Sequence, residues 1–143
     1  MKSDLEEWFP NLAQTEYKIT SPRTYDYNCI AWAVEEDDRW WSPTSDEYYW
    51  LEGAPTEWNL TAVIQTFGML GYEPCQNADL EPGFQKVAVF AKASGEPTHA
   101  ARQLPNGGWT SKLGDWEDIE HELEGIEGEK MYGAVRQIMK RPI

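Results

Sequence analysis

The sequence predicts an α+β domain in which N-terminal helices pack on a mostly antiparallel sheet. Two observations carry that reading. The apolar period is helical up to residue 70 and strand-like from residue 86 onward, and a hairpin signal joins two of the later segments. At 143 residues the chain has room for one domain, spanning 1–143. Abundant Trp, Tyr and Phe let a few large side chains fill its core.

Taken in order, Ser3 with Glu6 three residues on gives a capping box for a short first helix that Pro10 stops. "SPRTYDYN" (21–28) reads as a loop. Its last residue, Asn28, is a natural N-cap and leaves Cys29 in the first turn of a helix. Residues 35–53 mix acids with Trp40, Trp41, Tyr48, Tyr49 and Trp50 at no clear period and read as a long surface loop. Pro55–Thr56 opens the best-patterned helix, where Leu60, Val63, Ile64, Phe67 and Leu70 share one stripe and Gly71 supplies the stop.

"KVAVFAK" (86–92) is apolar on both faces, as a central strand is. "THAARQL" (98–104) and "WTSKL" (109–113) flank "PNGG", a hairpin turn. "DWEDIEHEL" (115–123) reads as a short helix capped by Asp115, and "MYGAVRQIM" (131–139) as a last strand.

The net charge of -13 narrows the partners. Residues 1–80 hold 15 acidic and 4 basic side chains, whereas residues 81–143 hold 10 and 8. Such a surface repels phosphate backbones, which argues against nucleic acid and favours cationic or neutral partners. The chain has no apolar run of membrane-spanning length, and "MKSDLEEWFP" lacks the features of a signal peptide. A cytoplasmic protein with no membrane contact is the expectation. Two cysteines 46 positions apart, with no CxxC, suit a reducing compartment.

Cys29 and His99 are the residues that can carry chemistry. A thiol at a helix N-terminus feels the positive end of the macrodipole, which lowers its pKa. His99 opens a strand, where a ring can reach such a helix end and act as base. Each has a structural reading beside the functional one: Cys29 as a small core residue, His99 as a hydrogen-bonded structural histidine. His121, among Glu120, Glu122 and Glu124 on the acidic helix, reads as solvated. Zinc bound by Cys29, Cys75, His99 and His121 is disfavoured, because no pair is closer than 22 positions.

The stretches "YNCIAWA", "THAARQLPNGGWTSKLG" and "DIEH" resemble a family of uncharacterised bacterial proteins of about this length. More distantly, the order of elements resembles the NlpC/P60 and CHAP branches of the papain-like superfamily, which are cysteine peptidases and amidases. That resemblance implies a papain-like fold and acyl transfer through a thioester, most simply amide hydrolysis of a peptide-like substrate, with no cofactor. Cys29 takes the nucleophile's position and His99 the base's. The third polar group of those enzymes falls near Ser111.

Asp115 is the other candidate to orient His99, and it stands opposite that residue if the turn spans 106–108. An oxyanion would be held by the Cys29 N–H with Tyr27 or Asn28. Trp40 and Trp41 either floor a substrate groove or fold back into the core. The rival reading is a non-catalytic acidic protein, of inhibitor or immunity type, that caps a basic protein partner.

Overall fold

The computed structural model describes residues 4–143, so the Ser3 cap lies outside the described residues. Seven strands make one sheet: β1 (Tyr17–Ser21), β2 (Glu73–Cys75), β3 (Phe84–Ala91), β4 (Pro97–Gln103), β5 (Trp109–Lys112), β6 (Asp118–His121) and β7 (Ala134–Pro142). Their order across the sheet is β1-β6-β5-β4-β3-β7-β2, with each laddered pair antiparallel. Among the described residues three α-helices accompany it, α1 (Asp4–Trp8), α2 (Cys29–Ala33) and α3 (Leu60–Met69), with short 3-10 turns at Pro10–Ala13 and Leu123–Ile126. The mixed α/β class with a mostly antiparallel sheet is therefore present. Among the described residues no helix is long and apolar enough to cross a membrane.

Strand alternation sorts the core into two layers. On one face Ala88, Phe90, Ala101, Trp109, Ile119 and Ile138 pack under Leu5 and Phe9 from the α1 region. On the other, Val87, Val89, Ala100 and Met139 meet Ala33 of α2 and Val63 and Phe67 of α3. β3 is buried on both faces, as its unbroken apolar run requires.

Local chemistry decides two helix starts. The Asn28 side chain accepts from the Ala31 N–H at 3.2 Å and caps α2. Its amide also pairs with the backbone of Trp41, donating to the carbonyl at 2.7 Å and accepting from the N–H at 3.1 Å. This folds the aromatic segment after α2 back against the helix. Asn59 caps α3 by accepting from Ala62 at 2.8 Å. That helix thus begins at Leu60 rather than at Pro55–Thr56, since the side-chain acceptor and not the proline satisfies its first free N–H groups.

The largest departure from expectation is residues 115–123. They form a turn and then β6, not a helix capped by Asp115. Ile119 and His121 face one side and Asp118 the other, where the Tyr27 and Thr20 hydroxyls donate to its carboxylate. Those partners lie more than ninety residues away. β1, which pairs with β6, carried no strand expectation.

Candidate functional site

β4, β5 and β6 lie side by side and bring His99, Ser111 and His121 onto one face. The ladders Ser111↔Ile119 and Trp109↔His121 join the last two strands. β4 and β5 pair only through Arg102↔Thr110 and Gln103↔Trp109. His99 Nε2 lies 2.8 Å from Ser111 Oγ, and the same oxygen lies 2.7 Å from His121 Nε2. His121 Nδ1 is 2.7 Å from the Glu122 carbonyl oxygen. All three side chains are buried, Ser111 completely. Tyr132 stacks on the His99 ring at 4.2 Å and 9°, and Phe90 meets it edge-on at 5.4 Å.

Burial is the main influence on both imidazoles. It holds His99 well below the ordinary 6.5, helped by the neighbouring His121, and it lowers His121 to about 4 against a smaller opposing pull from the Glu122 carbonyl. Between pH 6.5 and about 4 the unfolded chain takes up protons that folded His121 refuses. Stability should therefore fall as pH drops through that window, by roughly 3 kcal/mol for His121 alone, and level off below it. Urea midpoints at pH 7 and pH 5 should show a smaller drop for His121→Gln than for the native chain.

Cys29 occupies the first turn of α2. The helix is held over β4 and β5 by Trp32, whose Nε1–H donates to Thr110 Oγ1 at 2.9 Å while Arg102 lies over its ring. Cys29 and His99 line one small cavity of about 20 Å3, together with Ile30, Trp58, Val63 and Ala100. His99 Nδ1 is buried and has no hydrogen-bond partner. The two residues thus border one cavity, and no hydrogen bond joins thiol to imidazole.

The thiolate expected at this helix end is not the resting form. Burial pushes the Cys29 thiol up, outweighing the N–H groups of Ala100, Ile30 and Cys29 itself and the charge of Lys112, all of which favour the anion. α2 has only five residues, so its macrodipole is too small to offset the loss of water. With the histidine pushed down and the thiol up, the resting pair is neutral.

The other expected site residues fall elsewhere. Ser111 is the side chain that bonds His99. Asp115 sits in the turn between β5 and β6, beside Tyr25. The hairpin closes through Leu104 N–H to Gly108 O at 2.8 Å, and its ladder ends at Arg102↔Thr110, so Asp115 is not paired with His99. Tyr27 is buried with its hydroxyl donated to Asp118, and the Asn28 amide donates to the Trp41 carbonyl and accepts from Ala31, so both proposed oxyanion donors are already engaged. Trp41 is core, packed with Tyr27, Ile30 and Ala31, while Trp40 meets Tyr48 at a tilt, with ring centroids 5.9 Å apart. Neither lines the Cys29 cavity.

His121, read as a solvated helical residue, is buried and linked to Ser111. Trp58, which no sequence signal singled out, is part of the cavity wall and donates to the Pro97 carbonyl at 3.0 Å. Cys75 lies apart on β2, its thiol donating to Asn77 O at 3.4 Å. Among the described residues no group of three or more His, Cys, Asp or Glu is placed to hold a metal ion.

A family model described as a domain of unknown function, DUF7689, matches residues 18–140, a span that takes in Cys29, His99, Ser111 and His121. No curated protein and no solved structure matches the chain.

Proposed function

The chain belongs to the DUF7689 family, and for this member we propose a cysteine hydrolase of papain-like, NlpC/P60-type architecture acting on a peptide-like amide. One observation carries the reading. His99 keeps a buried Nδ1 with no partner in the residue that lines the Cys29 cavity. A buried polar nitrogen left unpaired costs about 1–3 kcal/mol, a cost that a purely structural histidine has no reason to carry. The order of elements adds support: a helix-borne Cys, a His on β4, and a polar side chain on the neighbouring strand that holds the His.

The neutral resting pair makes His99 a general base rather than half of a standing ion pair. Nδ1 takes the thiol proton as sulfur bonds to the acyl carbon. The C–N bond then breaks, and the proton on Nδ1 passes to the leaving amine. Nδ1 then takes a proton from water as its oxygen bonds to the acyl carbon; the C–S bond breaks, the acid leaves, and Nδ1 returns that proton to sulfur. The first-turn N–H groups of Cys29 and Ile30 are the donors for the oxyanion. The cavity is about the size of one water, so Trp58 must swing off Pro97 to admit an acyl group. The net charge of -13 favours cationic or neutral substrates.

The rival, an acidic protein that caps a basic partner, is favoured by the closure of that cavity. An activated acyl donor separates the two. Incubation with the p-nitrophenyl ester of an N-acetyl amino acid should release a burst of nitrophenolate and leave one acyl group on Cys29, detected by mass spectrometry. Cys75→Ala should behave as the native chain and Cys29→Ala should show no burst. Acylation of Cys75 alone, or of Cys29 only after denaturation, would reject the hydrolase.

A further inference from the structure

We infer that His121 is a positioning residue which, through Ser111, dictates which nitrogen of the His99 ring carries the proton and leaves the lone pair on Nδ1. The direction of each hydrogen bond follows from one end of the chain. The Glu122 carbonyl can only accept, so His121 Nδ1, 2.7 Å away, is the protonated nitrogen. Burial keeps both rings neutral, and a neutral His121 then has a bare Nε2. That nitrogen, 2.7 Å from Ser111 Oγ, accepts the hydroxyl proton.

The serine has no second proton to give. Its oxygen must accept from His99 Nε2–H at 2.8 Å, and His99 Nδ1 is left as the bare, unpartnered nitrogen. A lone Ser111 would not achieve this. Its hydroxyl can donate to a histidine as readily as accept from one, so it leaves the tautomer open. The carbonyl behind His121 removes the choice. The use of the bare nitrogen as a base rests on the proposed hydrolase, whereas the proton order does not.

The chain contains only two histidines, so nitrogen NMR of 15N-histidine-labelled protein at neutral pH reads both rings without ambiguity. The native chain should show His121 protonated on Nδ1 and His99 on Nε2. His121→Phe removes the acceptor. Ser111 should then donate to His99 Nε2, moving the His99 proton to Nδ1 and slowing acylation of Cys29 by about 10²-fold or more.

His121→Gln, whose amide oxygen can take the serine proton, should restore the native His99 tautomer. Ser111→Ala supplies a second reading if His121→Phe does not fold: His99 should lose its single tautomer. Native His99 protonated on Nδ1, or a His99 tautomer unmoved in both variants, overturns the inference. The expected tautomers without any acylation of Cys29 would instead sink the hydrolase and leave His121's role standing.

Discussion

His99→Gln should slow acylation of Cys29 by about 10²–10⁴-fold, the usual worth of a positioned general base. Gln is chosen because its amide N–H can still donate to Ser111 and its volume still fills the slot between Tyr132 and Phe90. Truncation to Ala would confound lost chemistry with a cavity. The pH profile supplies a second signature. Native His99 is held well below 6.5 and is already unprotonated at neutral pH, so its base-assisted rate should be flat there. In the variant only pre-formed thiolate reacts, and burial has pushed that thiol pKa up. The residual rate should then climb about tenfold per pH unit. An unchanged rate, or the same flat profile in both proteins, would remove His99 from the chemistry.

Gly133→Ala should be the most damaging single methyl in the chain. Gly133 has φ +74, and a Cβ there would lie 2.2 Å from the Ala91 carbonyl oxygen and 2.7 Å from Lys92 Cα. Those are backbone atoms of β3 and its exit, and they cannot swing aside. Gly133 also exchanges two backbone hydrogen bonds with Gly128, at 2.7 and 2.8 Å, and directly follows Tyr132, the ring stacked on His99. The methyl must push the start of β7 away from β3 and carry Tyr132 with it. We expect a loss of about 3 kcal/mol or more, measured by urea unfolding. Gly95→Ala is the control: its φ is +92 but nothing lies within 4 Å, so only the backbone penalty of about 1–2 kcal/mol applies. Equal losses at the two positions would show that the close approach at Gly133 is not what matters.

What the sequence made legible was whatever depends on near neighbours. Asn28 caps a helix because the N–H it needs is three residues on, so Cys29 could be placed in the first turn by inspection. The stripe from Leu60 to Leu70 and the two-faced apolar run of β3 were readable for the same reason. The reading failed where distant partners decide. "DWEDIEHEL" has apolar residues at helical spacing, and its acids look solvated. Yet Asp118 is buried because Tyr27 and Thr20 donate to it, and His121 because it bonds Ser111 across the sheet. Asp115 and Ser111 could not be separated without the register, which turns on a hairpin closed by Leu104 and Gly108. The neutral state of the Cys29 thiol and the His99 ring was hidden too, because it follows from burial and not from the order of residues.

The strand order also bears on how the chain is made. β4, β5 and β6 follow one another in sequence and pair as neighbours, so the His99–Ser111–His121 chain can assemble as soon as residue 121 has left the ribosome. β3 cannot be completed then. Its second edge pairs with β7, which also bridges to β2, and β7 comprises residues 134–142. Until those residues emerge, the most apolar strand of the described residues presents an open hydrogen-bonding edge to solvent or to another nascent chain. The part synthesised before it, residues 1–80, carries the 15 acidic side chains against 4 basic ones, and their mutual repulsion keeps neighbouring nascent chains apart while that edge waits for its partner.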